Sequence, residues 1–272
     1  MTEPWEQTGT FVRRRRAENP GPMTLDGTNS YVLRAPGSAG VVVVDPGPLL
    51  EGHLATLAAA GAVELILITH LHADHTGGSA RLHELTGAPV RAALPEFCHG
   101  GEPLGDGELI HAGGLTVTVL ATPGHTSDSL CFAVSAAGPD GSVEHVVFTG
   151  DTILGSGSTV LDYPDGKLGD YLDSLAALRR WGITHGTAGN PVAALPGHGP
   201  VLADLAAAAQ AYEAHRAERI AQVRAAVEHL EKAGAGEPTA EQVTAAVYGD
   251  VPANLQGAAR LSVEAQLQYL RG

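Results

Sequence analysis

Along the first two thirds of the chain, short apolar runs rich in Val, Ile, Leu and Thr stop at Gly, Pro or Asp. Such runs predict strands at 29–34, 41–45, 64–69, 115–121, 130–134 and 145–149. Between some of them the apolar spacing lengthens to three and four, which predicts helices at 50–60, 76–86 and 169–181. Strands alternating with helices in one chain point to an α/β layered domain. The segments 135–142 and 154–160, rich in Gly and Ser, read as loops. After Pro200 the pattern changes. Residues 203–232 contain Ala, Glu, Arg and Leu but no Pro or Gly, which predicts one long helix. Gly and Pro break it at 233–238. Thr239 is placed to cap a helix running to Val247, with Glu241 and Gln242 in its first turn. The last helix is expected at 254–270. The expected division is an α/β domain at 1–200 and a helical subdomain at 201–272.

Composition narrows the class. With 272 residues, 44% of them hydrophobic, the chain can bury a sizeable core. No apolar run approaches the roughly 18 residues that a membrane span needs. The N-terminal stretch has basic residues but no apolar run after them, so neither a secretory signal nor an anchor is expected. Two cysteines, Cys98 and Cys131, cannot make a disulfide framework, and the expected compartment is the cytoplasm. Lys plus Arg total 16 against 30 Asp plus Glu, a net charge of −14. Such a surface repels nucleic acid at long range. Four of the cations sit together at Arg13 to Arg16, read as a solvated edge rather than a phosphate clamp.

The thirteen histidines matter by where they fall. The strand expected at 64–69 runs into His70-Leu71-His72-Ala73-Asp74-His75, followed by Thr76-Gly77-Gly78. Alternate residues of an extended segment point the same way, so His70, His72 and Asp74 are expected to face one pocket, with His75 approaching from the other side. Three more ligand types follow at expected strand ends. His125 lies in Thr-Pro-Gly-His-Thr, Asp151 in Thr-Gly-Asp-Thr and His198 in Pro-Gly-His-Gly-Pro. Glycine beside a ligand lets the backbone turn sharply and approach an ion. Imidazole and carboxylate donors without thiolate suit Zn²⁺ and leave Mn²⁺ and Fe²⁺ open.

These motifs carry a resemblance. HLHADH, TPGHT, TGDT and PGHG, preceded by Asp45 in VVVVDPG, are similar to the five signature motifs of the metallo-β-lactamase superfamily. The resemblance implies an αββα sandwich with a dinuclear metal site at one edge of its two sheets. It implies that His70, His72 and His125 hold a first zinc, that Asp74, His75 and His198 hold a second, and that Asp151 bridges both. Asp45 is implied to orient the HxHxDH loop by hydrogen bonds rather than to bind metal. His72 argues against the diiron oxygen-reducing branch, which carries Glu there. Asn19-Pro20 and the run Met23 to Tyr31 resemble the lactamase-β-like type-2 subfamily. So do Tyr248, Pro252, Asn254-Leu255 and Ala258-Ala259 in the tail. Members of that subfamily include a mitochondrial endoribonuclease and fungal acyl-carrier-protein thioesterases, and its tail resembles a winged helix without the wing.

The expected chemistry is hydrolysis. Two divalent ions roughly 3.5–4 Å apart lower the pKa of a shared water toward about 7 and hold the hydroxide as nucleophile. Asp74 or Asp151 is expected to orient it and to carry a proton away. Neither a Walker loop nor a GxGxxG after a strand is present, which removes nucleotide-driven and dinucleotide-dependent chemistry. The first expectation is a hydrolase of thioesters or related acyl substrates, and the alternative is a single-strand endoribonuclease. For RNA, the −14 chain must line its groove with cations drawn from Arg13 to Arg16, Arg179, Arg180, Arg216, Arg219 and Arg224. The expected partner is therefore a small acyl substrate or single-stranded RNA, with no membrane.

Overall fold

The computed structural model describes residues 5–137, 143–234 and 236–272. Two sheets stack face to face. The first has six strands in the order β1 (Glu6–Gln7), β2 (Val12–Arg16), β3 (Asn29–Leu33), β4 (Gly40–Val44), β5 (Ala62–Leu67) and β6 (Val90–Arg91). The second runs β11 (Ala193–Pro196), β10 (Val143–Gly150), β9 (Leu130–Ala137), β8 (Leu115–Ala121), β7 (Leu109–Ala112). Between them lies a core in which Tyr31, Val42, Val44 and Leu67 meet Val117, Phe132, Val134 and Phe148. Tyr31 and Phe148 pack edge to face, 5.1 Å between ring centres.

Because successive side chains of a strand point to opposite faces, the other residues of the same strands form the outer layers. Val41, Val43, Ile66 and Ile68 pack on Leu54 and Leu57 of α1 (Glu51–Ala58) and Leu82 of α3 (Ser79–Thr86). Strand β4 is buried on both faces, which is why its sequence reads as unbroken valine. On the opposite side, Cys131, Ala133 and Val147 pack on Tyr171, Leu175 and Leu178 of α4 (Leu168–His185). The layers are helix, sheet, sheet, helix: an αββα sandwich.

The long helix α5 (Leu205–Lys232) joins that outer layer through Leu205, Ala209 and Tyr212. Its far half forms a separate small cluster, Val223 with Val243 of α6 (Ala240–Tyr248) and with Val263 and Leu267 of α7 (Gln256–Arg271). Thr239 begins α6 with a capping box: its side chain accepts from the Gln242 backbone N–H, and Gln242 Oε1 accepts from the Thr239 N–H. No helix among the described residues is long and apolar enough to cross a membrane.

Three readings of the sequence are corrected. The Arg13 to Arg16 run is not a solvated edge. It is β2, paired along its length with β3, with Arg15 only 6% exposed. Ladder hydrogen bonds use the backbone, and long Arg stems cover apolar surface as methylenes do. The helix expected at 76–86 is two pieces, α2 (Ala73–Thr76) and α3, separated at Gly77-Gly78. Ser135 to Ala137 continue β9, and the rest of the loop expected at 135–142 lies outside the described residues.

Strands β4, β5, β8, β10 and β11 all deliver loops to one edge of the sandwich. β4 pairs parallel with β5, and β10 pairs parallel with β11. Their carboxyl ends therefore lie side by side. The loops are stitched together by backbone hydrogen bonds: Asn29 N–H to Gly197 O at 2.7 Å, Gly197 N–H to Gly150 O at 2.8 Å, and Leu130 N–H to Thr69 O at 2.7 Å.

Candidate metal centre

His70 follows β5, and Asp45 follows β4 in the left-handed region, φ +52°. That conformation aims the Asp45 carboxylate across the next loop. Oδ1 accepts from the Thr69 N–H at 2.9 Å, while Oδ2 accepts from the Thr69 hydroxyl and from His75 Nδ1, each at 2.8 Å. The Thr69 hydroxyl hydrogen is engaged with Asp45, so at 3.0 Å the oxygen accepts from His70 Nδ1. One buried carboxylate thereby fixes the Nδ1 hydrogens of two imidazoles and turns Nε2 of both toward the centre, where each is available to a cation.

The segment after His70 does not run extended to Asp74, as strand alternation implies. The His72 carbonyl accepts the N–H groups of His75 and Thr76, both at 2.9 Å, and α2 begins there. This single turn sends His70 and His72 one way and Asp74 and His75 another. His70 Nε2 and His125 Nε2 lie 3.0 and 3.1 Å from His72 Nδ1. In the neighbouring group His198 Nε2 lies 3.3 Å from His75 Nε2 and 3.2 Å from Asp74 Oδ2, with 3.4 Å between the latter two. Asp151 stands between the groups. Its Oδ1 is 3.6 Å from His75 Nε2, and its Oδ2 is 3.3 Å from His198 Nε2 and 3.9 Å from His125 Nε2.

Each imidazole is oriented through its other nitrogen. His125 Nδ1 meets the Val160 carbonyl at 2.6 Å, His198 Nδ1 the Gly27 carbonyl at 3.2 Å, and His72 Nε2 the Asp162 carboxylate at 3.2 Å. Asp74 Oδ2 accepts from the Thr28 hydroxyl at 2.8 Å, and Thr28 is held in turn by Asn19. Asn29 Nδ2 donates to the carbonyls of Pro196 and Gly199, each at 2.9 Å. The opening motif thus clamps the loop that carries His198. Asp162, Thr28, Asn19 and Asn29 are positioning residues that spacing alone does not single out.

A cation fits here. Ligand atoms about 2.0–2.1 Å from a tetrahedral ion stand about 3.3 Å from one another; the second group shows 3.2 to 3.4 Å, and the first is slightly tighter at 3.0 and 3.1 Å. In the first group three imidazoles converge with no carboxylate among them, and in the second two imidazoles converge with Asp74. Asp151 Oδ1 is buried and lacks any hydrogen-bond partner, although buried polar atoms are ordinarily paired. Three sets of side chains can each hold a metal ion: His70, His72 and His125; His70, His75 and Asp151; Asp74, His75 and His198.

Protons respond to the same field. Burial opposes charge on His75, yet Asp45, Asp151 and Asp74 raise its pKa to about 9. His198 is likewise opposed by burial, and its hydrogen bonds to Asp151 and Asp74 raise it to about 10. Burial together with the neighbouring histidines pushes His70 well down. Burial works against the Asp74 carboxylate, but His198 and His75 hold it far below its usual range. Asp74 and Asp151 are both held low by their histidine neighbours, so the centre calls for positive charge, supplied by protons on His75 and His198 or by a cation that takes their place.

Glycine is required at one point of the cradle. A Cβ on Gly197 lies 2.4 Å from Asp151 Oδ1 and 2.6 Å from His75 Cε1. Gly197→Ala is therefore expected to push Asp151 off its position and to weaken metal retention at least about tenfold. Competition with a chromophoric chelator checks this. Unchanged affinity contradicts the placement of Asp151.

The metallo-beta-lactamase superfamily profile matches residues 23–183. The chain belongs to the metallo-beta-lactamase superfamily. As a member it is an enzyme, a hydrolase of that superfamily. It is 33% identical over 253 residues to an atrochrysone carboxyl ACP thioesterase of Aspergillus chevalieri, covering 89% of this chain and 74% of that one. It is 31% identical over 281 residues to the beta-lactamase-like protein 2 homolog of Caenorhabditis elegans, covering 98% and 86%. Its fold is shared with a beta-lactamase domain protein from Burkholderia ambifaria, TM-score 0.76 at 21% identity, over 98% of this chain and 87% of that one. In this superfamily member, the seven metal-competent residues expected from the motifs and Asp45 all lie at one sheet edge.

Proposed function

We propose that this chain is a dinuclear zinc hydrolase of acyl thioesters. The observation that carries the substrate class is a cavity of about 470 Å³ between the metal centre and the helical tail. His125 and Asp151 form one end of it. Its walls include Met23, Leu25, Leu154, Val160, Val251 and Leu255, and Met23 is left 55% exposed there. An acyl chain buries its methylenes against such walls. A phosphodiester strand calls instead for a cationic track. Of the arginines available for one, Arg216 and Arg219 line the cavity. Arg179 pairs with Glu213, Arg13 and Arg14 bond the carbonyls of Ala60 and Gly199, and Arg224 borders a separate groove. The thioesterase name of the Aspergillus chevalieri relative supports the same substrate class.

In this reading His70, His72 and His125 hold one Zn²⁺, Asp74, His75 and His198 hold the other, and Asp151 is shared. Five imidazoles and two carboxylates without thiolate are a donor set zinc accepts. When bound, the pair of ions supplies Lewis acidity at the substrate carbonyl and lowers the pKa of water at the site. The protein's own part is orientation. Thr28 fixes the Asp74 carboxylate toward the centre, where it can take up a proton as the substrate carbonyl is attacked. The apolar walls keep bulk water from the acyl chain. Residues 1–200 carry the centre, and 201–272 close the cavity over it.

Metal analysis tests the centre. Protein purified without chelator is expected to contain about two ions per chain, and His198→Ala about one. One ion or none in the parent contradicts a dinuclear site.

A further inference from the structure

Charge is distributed unevenly around the acyl cavity. Helix α5 turns His215, Arg216 and Arg219 toward it, while Asp151, at the metal end, is the one carboxylate among its described lining residues. Arg216 is 3% exposed. Its Nη2 donates to the Thr159 carbonyl, its guanidinium lies 4.9 Å from the centre of the Tyr171 ring, and its Nε has no partner. His215 Nδ1 is also buried without a partner. Arg219, half-buried, donates from Nη1 to Gln222 Oε1 at 2.8 Å and stands 5.7 Å from the centre of the Tyr248 ring.

Elsewhere in the molecule, arginines find acids. Arg81, Arg91, Arg179 and Arg260 each pair with a glutamate. In a chain of net charge −14, acids are abundant, yet the two guanidiniums that face the apolar cavity pair with none among the described residues. A buried cation without a counter-charge is unfavourable, and the low dielectric that makes it so strengthens its attraction for an incoming anion. Tyr248 and Gln222 hold the Arg219 guanidinium in place, and such a planar donor favours carboxylate and phosphate oxygens.

We infer that the His215–Arg216–Arg219 face of α5 is an anion subsite that takes a carboxylate or phosphate group carried by the substrate. Arg219 makes the contact and Arg216 supplies the field behind it. This rests on the acyl-thioester reading of the same cavity. The anion belongs either to the far end of the acyl chain or to the thiol arm.

Two matched pairs of thioesters separate these sources on the metal-loaded full-length enzyme. Hexanoyl-N-acetylcysteamine is compared with its adipoyl counterpart, and hexanoyl-pantetheine with hexanoyl-4′-phosphopantetheine. The expected result is kcat/KM at least about tenfold higher for the anionic member of one pair, the order of one charge-assisted contact. That ratio falls toward one in Arg219→Gln and at high salt. An adipoyl advantage places the anion on the acyl chain, and a phosphopantetheine advantage places it on the thiol arm. Equal kcat/KM within both pairs overturns the subsite and leaves the thioesterase reading intact. If no thioester is hydrolysed, the corresponding thioethers are titrated calorimetrically. Tighter binding of an anionic thioether that is lost in Arg219→Gln upholds the subsite while the hydrolytic reading falls. Equal affinities overturn the subsite.

Discussion

Asp151→Ala is expected to lose both metal ions and to lower turnover by roughly 10³-fold or more. The estimate follows from several kcal/mol of Lewis-acid stabilisation per site, with each ~1.4 kcal/mol worth tenfold. Asp151 reaches both groups of ligand atoms, 3.9 Å from His125 Nε2 on one side and 3.3 Å from His198 Nε2 on the other. Its Oδ1 is buried with no hydrogen-bond partner, so its removal breaks no hydrogen bond at that atom. Alanine takes away the negative charge that offsets two cations while leaving β10 and its neighbours in register. Elemental analysis and a turnover assay on the same preparation check this. A variant that retains two ions per chain as the parent does contradicts the shared role.

Asp45→Asn is expected to weaken metal binding by roughly 10–100-fold, the usual cost of losing a partner that orients a ligand. Asparagine retains one carbonyl oxygen for the Thr69 N–H but offers an NH₂ group where Oδ2 accepts from Thr69 and from His75 Nδ1. Two donors then face each other in a site 2% exposed. His75 is driven to the tautomer with hydrogen on Nε2, and that hydrogen points at Asp74 and His198. A fall in thermal stability is expected with it, because buried unsatisfied donors each cost about 1–3 kcal/mol. Affinity within twofold of the parent contradicts the part given to Asp45.

The centre was more legible in the sequence than the elements that brace it. His70, His72, Asp74 and His75 are packed into six residues, and His125, Asp151 and His198 each follow a strand beside glycine. Ligand chemistry is written in residue type, so the motifs announce it. The division into two groups came from the family resemblance and not from residue spacing: strand alternation puts Asp74 with His70 and His72, whereas the observed split depends on α2 starting at Ala73, and a four-residue helix leaves no periodic signal. Strand β2 was hidden because Val12 is its one apolar residue and the other four positions are arginines, which carry no apolar alternation. Strands β6, of two residues, and β11, of four, are too short for alternation to register. Asp162, Thr28 and Arg216 act across 90, 46 and 57 residues of sequence from their partners. Only the folded chain brings such pairs together.

Acyl-thioester hydrolysis at a two-metal centre is separated from RNA cleavage by its response to salt. A neutral acyl thioester and a single-stranded RNA are offered to the same metal-loaded preparation over a salt series, with Asp74→Asn as the blank. The expected result is thioester hydrolysis that changes little with salt and disappears in Asp74→Asn, with weak action on RNA that falls steeply as salt rises. Efficient RNA cleavage that is lost in Asp74→Asn, with the thioester left intact, contradicts the assignment as a thioester hydrolase.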